Sequence, residues 1–413
     1  MIDLSVIRSL RLPSFQARLR PFFLACFCLM LSLSLGLIAS LQFVRASAAT
    51  ESQKVLPELK ISPNPILLLD VESGNVLYQR DANRKWYPAS LTKLMTAYVI
   101  FKAIETGEIS EDSVLTVSKH ALSYPPAKMG FPVGTQLTVG NAIRMMIVKS
   151  ANDIAAALAE RVGGSEAGFA ARMNAEAQRL GMHASHFVNA NGLYASGHVS
   201  SARDMALIAR QLLVEYPQYS YLFQIPAIRH GKTVLRSYNT LLERFRGANG
   251  MKTGFVCASG YNIVATARRN GRQLLAVVMG APNSQIRAET AAFLLTEGFQ
   301  RQDMSAGAGV SIAQEAAFGP ISAVADMSPV VCPNGQVKWS PQVKYSSSYL
   351  TPRIKLMEPV RVYAGVRSAE QPVILPRSLE QLPLYAPRQK AGIPVKQQKG
   401  SNVRLAELPR AKP

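Results

Sequence analysis

Cysteine and histidine are scarce in this chain, and their scarcity argues against metal chemistry. Four cysteines and five histidines are scattered over 413 residues. No group of them has the spacing of a metal site, so neither a metal nor any other cofactor is expected. Cys26 and Cys28 fall inside an N-terminal apolar run, which leaves Cys257 and Cys332. An oxidising exterior would allow these two to pair, but nothing in their spacing calls for it, and an unpaired Cys257 in a sheet is the expectation. Acidic side chains are also short in number, 26 Asp and Glu against 46 Lys and Arg, a net charge of +20. That balance suits a partner of opposite sign, such as anionic lipid or an anionic polymer. Nucleic acid is not expected, because no basic helix interleaved with aromatics accompanies the charge.

What is present divides the chain into four parts. Arg8, Arg11, Arg18 and Arg20 precede the apolar run Pro21 to Val44, and Ala46-Ser47-Ala48 then offers a small-x-small cleavage site. Residues 1–48 therefore read as an export signal, with a retained N-terminal anchor as the alternative, since the run is long enough to span a bilayer. Residues 49–63 form a linker. From 64 to 300 the pattern alternates between sheet and helix, and 48% hydrophobic content provides ample core. Ile66 to Asp70 and Val76 to Tyr78 flank Glu72-Ser73-Gly74-Asn75 as a hairpin. A helix begins near Pro88, with Leu91, Leu94, Met95, Tyr98 and Ile104 at helical spacing until Gly107. Helical patterns dominate from Val139 to about Glu215, broken around Asn189 to Gly197. Met251 to Val256, Tyr261 to Arg268 and Gln273 to Gly280 then read as three successive strands, with Asn270-Gly271 turning the last pair. A final helix follows Glu289 through Phe299. The fold class expected is α+β, an antiparallel sheet flanked by helices with an all-helical insertion. Residues 301–413, first rich in Ala, Gly and Ser and later in Pro, Lys and Arg, read as a largely extended basic tail.

Three short motifs carry chemistry. Ser90 and Lys93 stand three residues apart, so on a helix they share a face and the amine reaches the hydroxyl. A lysine whose pKa is depressed by burial or a second cation can take the serine proton and make it a nucleophile. The helix start adds free N–H groups that favour developing negative charge. Ser150-Ala151-Asn152 opens a second helical run, where a capping role competes with a role in a cleft. Three other Ser-x-Asn triplets, at Ser62, Ser73 and Ser237, lack that setting. Lys252-Thr253-Gly254 lies on the first of the three late strands, and Gly254 would let a substrate backbone approach.

In this order the motifs resemble those of the penicillin-binding, serine-type D-alanyl-D-alanine carboxypeptidases. Gly134 to Val139, Val148 to Asp153, Leu180-Gly181-Met182 with His186 to Asn189, Asn191-Gly192-Leu193, Ser200 to Met205 and Asn239 to Leu242 are similar to that family as well, so the likeness runs from about Pro65 to Phe299. The resemblance implies catalysis by Ser90, Lys93, Ser150 and Asn152, and substrate binding by Lys252, Thr253, Gly254, Phe255 and Arg287. The backbone N–H groups of Ser90 and Phe255 would form an oxyanion hole, and a surface arginine at a helix start is the plainer reading of Arg287. It further implies peptidoglycan stem peptides as substrates, β-lactams as covalent ligands, and an exported, periplasmic or extracytoplasmic location. The family's C-terminal β-rich domain and amphipathic helix are not evident, and the basic tail would instead contact anionic membrane or wall polymer. Two departures matter. The Glu-x-x-Leu-Asn of class A β-lactamases is absent, which argues against that activity. Asn249 stands three positions before Lys252, where the family often has an acid.

Overall fold

The run Ile66-Leu67-Leu68-Leu69 has no polar position, so a strand built from it must be covered on both faces. The computed structural model, which describes residues 64–300, 310–313, 324–337, 349–370 and 372, shows that it is. All the described residues belong to one compact unit. The N-terminal segment 1–48, the linker 49–63 and most of the expected tail lie outside the described residues.

In chain order the strands are β1 (Ile66–Asp70), β2 (Val76–Arg80), β3 (Val114–Thr116), β4 (Gln136–Thr138), β5 (Ala227–His230), β6 (Thr233–Arg236), β7 (Ala248–Val256), β8 (Gly260–Arg269), β9 (Arg272–Ala281) and β10 (Val360–Arg361). Helices of twelve residues or more are α1 (Thr92–Glu105), α2 (Asn152–Gly163), α3 (Glu166–Arg179), α4 (Ala202–Glu215) and α5 (Ser284–Gln300). The main sheet is antiparallel in the order β2-β1-β9-β8-β7, which leaves β7 at an edge. Period-two alternation sends Ile66 and Leu68 to one face, under Ala288, Ala291 and Leu295 of α5. Leu67 and Leu69 face the other way, into the core shared with α1 and the helices between β4 and β5. At roughly 1.5–3 kcal/mol for each fully buried aliphatic side chain, this two-sided burial holds the layers together.

The expected sheet, its hairpins and the helical insertion are all present. Three expectations change. Helix α5 starts at Ser284, ahead of Glu289, because Asn283 Oδ1 accepts the Ile286 N–H at 2.8 Å and caps a turn that carries no apolar periodicity. Cys257 lies in the turn between β7 and β8, outside the sheet, and is bonded to Cys332 with the two Cα atoms 5.6 Å apart. Their partnership depends on a short helix, Ser328–Val331, docked beside that turn by a 3.0 Å bond from Met327 N to Ala258 O. Chain spacing holds no trace of this docking.

The third change concerns the expected tail. Residues 349–370 run over the domain through backbone bonds, Thr351 N to Arg244 O and Ile354 N to Glu243 O, both 2.8 Å, and β10 pairs in parallel with β5. Asn141 then donates from Nδ2 to Arg367 O at 2.8 Å. Docking of this kind uses main-chain groups, so it needs no side-chain alternation and leaves none in the sequence. No helix among the described residues is long and apolar enough to cross a membrane.

Candidate active site

Proline 88 starts a single 3-10 turn, Ala89–Leu91, that leads into α1 and places Ser90 just ahead of the helix. The turn is tied to the sheet. Asn262 of β8 donates from Nδ2 to Tyr87 O at 2.9 Å and Pro88 O at 3.2 Å, and accepts Gly280 N at 2.8 Å. Gly254 explains how β7 comes so close. A Cβ there would meet Pro88 O at 2.9 Å, Ser90 N at 3.0 Å and Leu91 N at 3.1 Å, all backbone atoms. Its bare backbone therefore admits the turn that carries Ser90, in place of the substrate approach expected from the sequence. Gly192 does the same from the other side. At φ +84° its Cβ would sit 1.9 Å from Ala89 O.

Lys93 is 1% exposed and its amine meets three oxygens: Ser90 Oγ at 2.9 Å, Asn152 Oδ1 at 2.8 Å and Asn191 O at 2.6 Å. Burial, then the charge of Lys252, hold its pKa well below that of an ordinary lysine, while Asp153 works weakly the other way. A neutral amine has two N–H bonds and one lone pair. Two of the three oxygens are carbonyl acceptors and take the two N–H bonds, so the lone pair faces the Ser90 hydroxyl. Asn152 is itself held, with Nδ2 donating to Pro125 O at 2.9 Å and its backbone N–H to Ala127 O at 2.7 Å, which turns Oδ1 toward Lys93.

Ser150 is not the N-cap of α2 but the residue that ends the preceding turn. A π-helical turn, Met145–Lys149, ends on it at φ +61°, and Ala151 then caps α2, so the serine is forced into the left-handed region that β-carbon residues avoid. In that position its Oγ accepts Lys252 Nζ at 2.8 Å. Lys252, 3% exposed, also donates to Thr253 O at 3.0 Å. Burial and the Arg287 charge lower its pKa to about 7. Arg287 is 4% exposed, not a surface arginine. It donates from Nη2 to Tyr238 O at 3.1 Å and lies over the Tyr261 ring, which packs against Phe255 with centroids 4.3 Å apart. Thr253 and Phe255 follow Lys252 along the edge strand, and all nine residues expected at the site thus gather at the junction of α1, α2, β7 and the start of α5.

Two participants escaped the sequence. Asn191 supplies a backbone carbonyl, which no side-chain motif encodes; its loop is fixed by Asn189, whose Oδ1 accepts Gly192 N at 2.7 Å. His198 accepts Val188 N on Nδ1 at 3.1 Å, so Nε2 carries the proton and donates to Thr92 Oγ1 at 2.8 Å. Burial, then His186 and Lys93, push its pKa down to about 4, leaving it neutral beside the lysine. Asn249, by contrast, lies away from this cleft. Its Oδ1 accepts Gln273 Nε2 at 3.5 Å, in a separate groove. Among the described residues no cluster of His, Cys, Asp or Glu has the makings of a metal site.

Comparison with known proteins converges on one family. The profile of peptidase S11, described as D-alanyl-D-alanine carboxypeptidase, matches residues 48–283. D-alanyl-D-alanine carboxypeptidase DacC of Escherichia coli is 34% identical over 265 residues, covering 62% of this chain and 66% of the relative. DacF of Bacillus subtilis is 31% identical over 271 residues, covering 64% and 69%. The match thus spans about two thirds of these relatives' own length. Among solved structures, penicillin binding protein 5 of Haemophilus influenzae superposes with a TM-score of 0.57 at 32% identity, covering 59% of this chain and 73% of that one. Penicillin-Binding Protein D2 of Listeria monocytogenes, solved in its cefotaxime-bound form, gives 0.54 at 32%, covering 59% of this chain and all of that one.

Proposed function

Because the chain belongs to the peptidase S11 family of D-alanyl-D-alanine carboxypeptidases, we propose that it removes the terminal D-Ala from peptidoglycan stem peptides through an acyl-enzyme on Ser90. The observation that carries this reading is the amine of Lys93, buried, with its pKa held well below that of an ordinary lysine by burial and the Lys252 charge, and presented to Ser90 Oγ at 2.9 Å by two carbonyl acceptors. Lys93 takes the hydroxyl proton as Oγ attacks the carbonyl of the D-Ala-D-Ala bond. The oxyanion gathers negative charge between the N–H groups of Ser90 and Phe255, at the place where β7 meets the 3-10 turn. Collapse breaks the C–N bond, and the proton passes from Lys93 through Ser150 to the departing D-Ala nitrogen. Lys93 is then neutral again, takes a proton from the water that attacks the ester carbonyl, and returns it to Ser90 Oγ as the C–O bond breaks. Lys252 and Thr253, with Arg287 behind them, hold the terminal carboxylate of the substrate. Asn152 keeps the lysine aimed.

A β-lactam fits the same scheme up to the acyl-enzyme. Its leaving nitrogen remains tethered to the acyl group, so it stays in the cleft and hinders the water, which supports covalent penicillin binding. The chain would act outside the cytoplasm, exported by residues 1–48, and the cationic C-terminal residues would contact anionic lipid or wall polymer. The decisive assay is release of D-Ala from diacetyl-Lys-D-Ala-D-Ala by the purified protein. Penicillin labelling of Ser90 without any D-Ala release would make the protein a sensor and sink the carboxypeptidase reading.

A further inference from the structure

A second concavity of about 990 Å³ opens away from Ser90, between the β8–β9 turn, residues 246–249 and the stretch 213–224. Arg246, Arg268 and Arg269 line it, and Glu72 is the one acidic side chain in the lining. None of the three arginines is ion-paired among the described residues, whereas their neighbour Arg272 is paired with Asp70 at 2.8 Å. Arg268 and Arg269 are nonetheless held in place. Arg269 lies over the rings of Phe245 and Phe299, 4.5 and 4.8 Å from the centroids, and donates from Nε to Arg246 O at 3.0 Å. Burial and the Arg246 charge bring its pKa down to about 10. Arg268 donates to Gln273 Oε1 at 2.9 Å, and Gln273 reaches Asn249 on the other side. At Asn249 the family often carries an acid; an uncharged amide there leaves Glu72 as the only carboxylate in the lining, against three arginines.

We propose that this groove binds a phosphorylated polyol or sugar, apart from the peptidase cleft. Planar guanidinium forks suit phosphate oxygens, and the volume far exceeds one phosphate ion, so room remains for the hydroxyl-bearing part. The amides of Asn249 and Asn270 supply donors and acceptors for those hydroxyls. Glycerol-phosphate oligomers are the probe, titrated calorimetrically into the full chain at low salt. Affinity should fall at least about tenfold in Arg246→Gln/Arg268→Gln, the loss of charge-assisted hydrogen bonds. Asn249→Asp, nearly isosteric, should weaken binding by placing a carboxylate beside Gln273 and Arg268, and it keeps the test standing if the double variant fails to fold. Both variants should retain the wild-type rate of penicillin acylation, because neither touches the residues around Ser90. Equal affinity in wild type and variants would assign the binding to other cationic parts of the chain and overturn the proposal. Binding to phosphatidylglycerol vesicles with none to the soluble oligomer would overturn it too.

Discussion

At the scale of single residues, the site turns on two lysines made to behave differently by their surroundings. Both are buried, yet Lys93 meets two carbonyl oxygens and a hydroxyl, while Lys252 keeps donor capacity toward the cleft. Ser90→Ala should abolish the penicillin adduct in intact-mass analysis, and an adduct that survives the change would move the nucleophile elsewhere. Lys93→Arg puts a permanent cation in place of a base and offers no lone pair near neutral pH, so acylation should fall at least about a hundredfold in stopped-flow measurement. The pH profile tests Lys252. With its pKa at about 7 in the free enzyme, kcat/KM for a carboxylate-terminated peptide should decline as pH rises through 7, because the cation that holds the carboxylate is lost. A bound carboxylate raises that pKa, so the alkaline limb of kcat should lie higher. Lys252→Arg cannot deprotonate in this range and should lose the limb. A wild-type kcat/KM that stays flat to pH 9 would show that Lys252 does not read the carboxylate.

Among the elements, the edge strand β7 and the 3-10 turn before α1 set the geometry by direct backbone contact. Gly254→Ala forces a methyl group into Pro88 O, Ser90 N and Leu91 N, none of which can rotate away. Acylation should slow by roughly a hundredfold, the cost of displacing reacting groups by about 1 Å, while the protein still folds. Wild-type acylation by this variant would refute the idea that the contact positions the oxyanion hole. The five strands of the main sheet and α1 were legible in the sequence because their side chains repeat with period 2 or 3.6 and turn residues flank them, whereas β3 to β6 and β10, two to four residues each, are too short to show a period. The conformation of Ser150 was not. A left-handed serine at the end of a π-helical turn depends on the packing of Met145, Met146 and Ile147 beneath it, and local propensity argues for a plain helix start instead.

For the whole molecule, the disulfide and the docked C-terminal segments extend the domain past α5. Cys257 and Cys332 enclose a separation of 75 residues. Loop-closure entropy for such a span amounts to about 4.5 kcal/mol, so Cys332→Ser, or reduction, should lower the thermal midpoint of unfolding clearly. Acylation by penicillin at room temperature should persist, since neither cysteine reaches Ser90 or Lys93. An unchanged midpoint would mean that the short helix at Ser328 holds its place without the bond.

The sequence by itself determined the order of the main-sheet strands and the long helices, the placing of Ser90 one turn from Lys93, and a second lysine, Lys252, on a late strand. Each of these rests on local periodicity or on residue types whose chemistry does not depend on distant partners. Tertiary structure decided the rest. The Asn191 carbonyl, the neutral His198, the burial of Arg287, the contact of Gly254 with the Ser90 turn and the Cys257–Cys332 bond all join residues far apart in the chain. Such pairings are fixed by packing and backbone hydrogen bonds, which leave no spacing for a reader of the sequence to count.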